Sequence, residues 1–240
     1  MTLTVGSLFS GIGGIDLGLE RAGMNVLWHS EIDPYACRVL KKHWPHVPNI
    51  GDITKVDWSN IPYVDVIAGG YPCQPFSLYG KRQGENDPRH LWPYFRNAIS
   101  HLRPRYALLE NVRGHLTMGG LSVIGDLAAL GYDCEWRIIS AASVGANHRR
   151  DRLIILAHAS SKHVEEQKMV DTSIWGSPRK LGRSWAFTFP MPKWSTNEPS
   201  MVGMADGVSD WVDRSKGLGN AVVPQVAEVV GRLIVSHAND

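Results

Sequence analysis

The chain has 240 residues, 43% of them apolar and 20% charged, and a formal net charge of only +2. That composition excludes a wholly disordered chain and leaves room for one sizeable core with a small appendage. No apolar run approaches the roughly 18 residues of a membrane span, and "MTLTVGSLFSGIGG" has neither a basic leader nor a long apolar stretch, so a cytoplasmic protein with no membrane partner is expected.

"TLTVGSLFS" predicts a buried strand and "IGGIDLGLERAG" a helix closed by Gly23. "MNVLWHSE" is a second strand, and Pro34 suits the first turn of a helix through "YACRVLKKHW". "NIGDIT" follows a third strand, and "YVDVIAGG" is a short apolar strand ending in glycines. Pro88 opens the helix "RHLWPYFRNAISHL", in which Pro93 kinks or delays the start. "RYALLEN" is the next strand, "LSVIGDLAALG" a helix closed by Gly131, and "YDCEWRIIS" and "RLIILAH" two late strands. The alternation predicts an α/β fold, a doubly wound and mostly parallel sheet with its function at the carboxyl ends of the strands.

Periodicity breaks at about residue 158 and returns in "GLGNAVVPQVAEVVGRLIVSHA". The stretch between is too long for an ordinary connection and reads as a small subdomain or functional insertion. Residues 158–205 hold six Lys/Arg against four acids, 6 − 4 = +2, which is the whole of the chain's excess. The expected organisation is an α/β domain over 1–157, a short irregular region over 158–205, and a segment over 206–240 that packs back on the sheet.

"FSGIGGIDLG" leaves the first strand and enters a helix, so Gly11, Gly13 and Gly14 allow a tight turn and close approach of a ligand to the backbone. The dinucleotide fingerprint fails because Asp16 stands where its third glycine belongs. Glu31, at the end of the second strand, is placed to accept bonds from ribose hydroxyls, and Asp52 to meet an adenine amino group. Acid beside the turn is unsuited to a pyrophosphate and favours adenosylmethionine over NAD.

Cys37, Cys73 and Cys134 form no C-x-x-C pair, so neither a disulfide framework nor a metal site is expected. Cys37 and Cys134 read as core, where free cysteine usually goes. Cys73 differs: it follows a strand end and is stiffened by Pro72 and Pro75. Glu110 closes another strand, and Arg150 and Arg152 open the last. A thiol, a carboxylate and two guanidinium groups thus converge on one mouth of the sheet.

"PCQPFS" at 72–77, "ENV" at 110–112, "FSGIGG" at 9–14, "GDIT" at 51–54, "RRDR" at 149–152 and "GNAVVP" at 219–224 together resemble the cytosine-C5 DNA methyltransferases, of prokaryotic or phage type, in the family's order. The resemblance implies methyl transfer from S-adenosylmethionine to carbon 5 of cytosine in double-stranded DNA. It implies that Cys73 attacks carbon 6 as a thiolate, that Glu110 holds the Watson–Crick edge, and that Arg150 and Arg152 position the base and Cys73. Arg152 can alternatively pair with Glu110.

By the same resemblance, Phe9, Ser10, Gly11, Gly13, Gly14, Glu31, Ile32, Asp52, Ile53, Pro72, Asn220 and Val222 contact the cofactor. Carbon 6 is out of reach inside a stacked duplex, so the cytosine is flipped out. Ser77, Lys81, Arg82, Gln83 and Arg89 in the loop after Cys73, with Arg179, Lys180 and Arg183, are the expected DNA contacts. Trp175, Trp185 and Trp194 are either further contacts or a mini-core. The sequence departs from the family at His148, where glutamine is usual, and its variable region is short.

The expected partners are DNA and a cognate restriction endonuclease, and the expected state is a monomer. Three rivals stay open: methylation of cytosine in tRNA, a non-catalytic DNA-binding relative, and an NAD-linked oxidoreductase, the last disfavoured by Asp16.

Overall fold

A computed structural model of the chain describes residues 2–72, 91–160 and 221–239. In chain order it contains β1 (Thr4–Leu8), α1 (Gly14–Arg21), β2 (Asn25–Ser30), α2 (Pro34–His43), β3 (Val66–Gly69), α3 (Trp92–Leu102), β4 (Tyr106–Val112), α4 (Gly120–Ala129), β5 (Tyr132–Ser140), β6 (Asp151–Ala159) and α5 (Pro224–Asn239). The six strands form one sheet in the order β2-β1-β3-β4-β6-β5. Its β2-β1-β3-β4 run is parallel, whereas β6 runs antiparallel to both β4 and β5.

The central strands are mostly apolar because both faces of the sheet are covered. All four residues of β3 are buried, as are the first six of β4. On one face, α1 and α5 close a core that includes Val5, Leu19, Val66, Val226, Val230 and Ile234. On the other, α3 and α4 close a core around Ile67, Phe95, Ile99, Leu109, Leu127 and Ile155. Helix α5 thus packs on the same face of the sheet as α1.

Helix boundaries follow local chemistry. Asp33 caps α2 by accepting from the Tyr35 and Ala36 amides at 2.9 and 3.1 Å, and Pro34 occupies the first turn, where its missing N–H costs nothing. α3 begins only at Trp92, with Pro93 in its first turn, so the proline delays the helix rather than kinking it. The third strand expected ahead of Asp52 is reduced to a single parallel bridge between His29 and Asn49. Among the described residues no helix is long and apolar enough to cross a membrane.

α1 and α5 approach closely because glycines line their contact. A side chain at Gly18 would collide with the Pro224 carbonyl and Ala227, and one at Gly231 would lie 2.7 Å from the Ala22 Cβ.

Candidate active site

The chain leaves β1 through alternating left-handed residues, Phe9 (φ 53°), Gly11 (φ 56°) and Gly13 (φ 84°). A phenylalanine held there is strained, a condition that clusters at functional sites. Ser10 ties the turn down: its hydroxyl donates to the Ser7 carbonyl at 3.1 Å and its carbonyl accepts from the Gly13 amide at 3.0 Å. Gly13 is the cap of α1 and offers no side-chain cap, so the positive end of the helix faces the turn with its amides open.

The three glycines divide the work differently from the sequence reading. The space above Gly13 is filled by the Trp44 ring and that above Gly14 by the Val222 carbonyl. Only Gly11 keeps a clear approach, with nothing nearer than the Phe9 carbonyl at 4.0 Å. Gly14 and Val222 thus serve packing of α1 against the returning segment, and Val222 is itself buried.

Glu31 stands at the end of β2 and accepts three backbone bonds: from Gly11 at 2.7 Å through one oxygen, and from Ile32 and Asp33 at 2.8 Å through the other. Ile32 beside it is 67% exposed, an unusual cost for an isoleucine and a ready apolar face for a flat ring. Asp52 accepts from the Thr54 amide and hydroxyl, which hold its carboxyl below the usual range. Ile53 sends its side chain into the core beside Trp58, so toward this edge it offers backbone alone.

Asp16 corrects the expectation most sharply. It does not face the turn as a free acid: it is fully buried and pairs with His29 on β2 at 3.3 Å. Its carboxylate is therefore no argument between adenosylmethionine and NAD.

On β4, Glu110 is buried and its carboxylate meets the Arg152 Nε at 2.7 Å. Because β6 is antiparallel, Arg152 lies opposite Val112 and Glu110 opposite Ile154, which makes the pair diagonal neighbours on one face. Gly70, just past β3, leaves room for this carboxylate: a Cβ there would lie 2.6 Å from the Glu110 Oε2. Burial pushes the Glu110 carboxyl up to about 7, against the opposing pull of Arg152 and Arg150. Arg150 donates to the Ala221 carbonyl at 2.9 Å, and burial followed by repulsion from Arg152 lowers its pKa. Of the two readings for Arg152, the geometry has the ion pair with Glu110. His148 is exposed.

A group of residues at this edge was not singled out from the sequence. The Tyr71 hydroxyl and the His115 Nε2 are 2.6 Å apart, both side chains buried, and Tyr71 lies 5.5 Å ring to ring from Trp92. Trp92 in turn donates to Asp126 at 2.7 Å, and Asn111 donates to the Tyr71 carbonyl at 3.2 Å. These contacts fix the strand exit at Tyr71 and Pro72, immediately ahead of Cys73. The only hints in the sequence were a polar-tipped aromatic before the proline–cysteine pair and a histidine just after the glutamate block.

Cys37 and Cys134 are half-buried rather than core. Cys37 sits between the Glu31 carbonyl at 3.4 Å and the Asn49 amide at 3.3 Å, and burial with Glu31 raises its pKa. Cys134 lies on the edge strand β5, where burial and Asp133 push it up to about 11. Cys73, Ser77, Lys81, Arg82, Gln83, Arg89, Arg179, Lys180, Arg183, Asn220 and the three tryptophans of 158–205 lie outside the described residues.

Comparison with known proteins narrows the field. The methyltransferase M.Eco47II of Escherichia coli is 42% identical over 164 residues, covering 64% of this chain and 39% of that protein. M.BsuFI of Bacillus subtilis is 36% identical over 159 residues, again 64% and 39%. The chain thus spans about two fifths of the length of these relatives. A crystal structure described as a prophage-encoded DNA modification methyltransferase of E. coli superposes with TM-score 0.58 at 28% identity, over 71% of this chain and 52% of that one. The S. pombe Dnmt2 methyltransferase shares the fold, with TM-score 0.57 at 24% identity over 71% and 54%. The model of the C-5 cytosine-specific DNA methylases matches residues 3–201, most of the chain, and the chain belongs to that family.

Proposed function

We propose that the protein transfers a methyl group from S-adenosylmethionine to carbon 5 of cytosine in double-stranded DNA. The observation that carries the reading is Glu110, a carboxyl with a pKa of about 7, buried at the carboxyl edge of the sheet and held by Arg152. Such a group can donate to a ring nitrogen at neutral pH, which an ordinary glutamate cannot.

An adenosyl group suits the glycine turn. The open approach over Gly11, the uncapped start of α1, the Glu31 carboxylate and the exposed face of Ile32 offer backbone donors, an acceptor for ribose hydroxyls and an apolar platform. Phe9, Ser10, Asp52, the Ile53 backbone, Pro72 and Asn220 complete the proposed cofactor set, with Gly13, Gly14 and Val222 shaping it from behind. When bound, the cofactor supplies an electrophilic methyl group on a sulfonium.

The chain's residues make cytosine able to take it. The Cys73 thiolate adds to carbon 6 while Glu110 gives its proton to N3, so the ring electrons move to carbon 5. Once carbon 5 is methylated its proton passes to water, the electrons left behind expel sulfur from carbon 6 as thiolate, and N3 returns its proton to Glu110, so Cys73 and Glu110 are both restored. Arg152 keeps Glu110 in place through both halves. The base must leave the helix to reach this edge. Ser77, Lys81, Arg82, Gln83 and Arg89, with Arg179, Lys180 and Arg183 of the recognition region, are the proposed DNA contacts, and a restriction endonuclease of the same specificity the proposed partner.

Cys73→Ala is expected to abolish incorporation of labelled methyl into duplex DNA while adenosylmethionine binding, read by calorimetry, stays within about twofold. Full activity in that variant would remove Cys73 from the mechanism. Incorporation into tRNA and not into DNA would move the substrate, leaving the chemistry intact.

A further inference from the structure

Asp16 and His29 form the most completely buried carboxylate–imidazole contact among the described residues, at 0% and 1% side-chain exposure. Neither Asp16 oxygen nor the His29 Nε2 has a hydrogen-bond partner among the described residues to offset desolvation. Such a pair is a poor way to stabilise a fold, since apolar side chains of similar volume commonly do as well or better. Nor does the fold need it as a fastener: α1 is packed on α5 through Gly18 and Gly231, and β2 is laddered to β1.

Its position relates it to the cofactor edge. His29 lies next to the last residue of β2, and Glu31 is the first residue beyond the strand's end. Glu31 crosses to the Gly11 amide at 2.7 Å, and His29 crosses to Asp16 just inside α1 at 3.3 Å. The two contacts both tie the segment after β1, the glycine turn and the first turn of α1, to the end of β2. Trp44 adds to this tie. Its ring fills the space over Gly13, lies edge-on to His29 at 5.6 Å, and its Nε1 donates to Glu20 of α1 at 2.8 Å. The His29 backbone also accepts from Ile50 at 2.7 Å and donates to the Pro48 carbonyl at 2.9 Å, anchoring the run that leads to Asp52. The glycine turn, Glu31 and Asp52 therefore all refer to His29.

We infer that Asp16 and His29 are positioning residues for the nucleoside half of the cofactor: they set the spacing of the glycine turn, Glu31 and Asp52 without touching the ligand. The inference rests on the reading of those three elements as the adenosyl site, and it deepens that reading by naming what holds them in register.

The test is calorimetric binding of S-adenosylmethionine and S-adenosylhomocysteine to the full chain without DNA, beside thermal unfolding of the unliganded protein. Asp16→Asn and His29→Gln are each expected to weaken both ligands by about tenfold, and the double variant by no more than the weaker single, as for residues acting as one unit. Asp16→Leu with His29→Leu guards against a simple folding defect: it is expected to keep or raise the thermal midpoint and still bind at least about tenfold more weakly. A folded Leu/Leu variant with wild-type affinity overturns the inference, as do single variants whose losses add. Failure of the wild-type chain to bind either ligand is a separate result, which removes the adenosyl site itself and the inference with it.

Discussion

Glu110 owes its behaviour to three neighbours: a covering of strand that strips its water, an arginine at 2.7 Å that keeps it ionisable, and a glycine that makes room for its carboxylate. The folded protein holds its proton up to about pH 7, from an ordinary value of 4.5. The folded state therefore binds more protons than the unfolded chain across that window, so this group's stabilising contribution is full below about 4.5 and is lost as pH climbs through about 7. Glu110→Gln is expected to flatten the fall in thermal midpoint between pH 5 and pH 8, seen by scanning calorimetry. The same variant cannot protonate N3 and is expected to lose about 100-fold or more in turnover, within the range general acids contribute. A variant with the wild-type slope would show that Glu110 titrates as a surface acid.

At the scale of elements, α1 and α5 approach each other closely through glycine. Gly18 in the middle of α1 would ordinarily favour replacement by alanine, worth about 1 kcal/mol in helix propensity. Here the new methyl group would meet the Pro224 carbonyl and Ala227, so the sign reverses. Gly18→Ala is expected to cost about 1–3 kcal/mol in urea unfolding, the usual range for overpacking. The strands and helices were legible from hydrophobic period and punctuation, and Glu110, Arg150 and Arg152 from motif and strand-end position. Direction was not legible. Asp16 sits in the first turn of α1, from which an acid can face solvent, the turn or a neighbouring strand, and the choice depends on His29, which lies on another element. The same holds for Trp44 over Gly13 and for Tyr71 against His115, since partners that distant in sequence are set by packing. Cys37 and Cys134 were assigned to the core by residue type, but α2 and the edge strand β5 leave them half-exposed.

At the scale of the whole molecule, the sheet is a two-sided core whose α1 side is roofed by α5. Val226, Val229, Val230 and Ile234 of that helix are all nearly fully buried. At roughly 1.5–3 kcal/mol each, their loss is comparable to the about 5–15 kcal/mol of a typical domain. A chain stopped at Val223 is expected to show no cooperative thermal transition by circular dichroism, whereas a stop after His237 is expected to retain one. The reversed direction of β6 has a further consequence. Its first residues lie beside Glu110, at the edge where chemistry is proposed, and its last, Ala159, lies past Tyr106 at the other end of β4. The chain re-enters at Ala221, whose carbonyl binds Arg150 back at the first edge. The described chain thus leaves the sheet at one rim and resumes at the opposite one, a strand's length of about 30 Å away, which about nine extended residues would cross. The stretch from 161 to 220 is several times longer than such a bridge, so the sheet itself does not dictate its length.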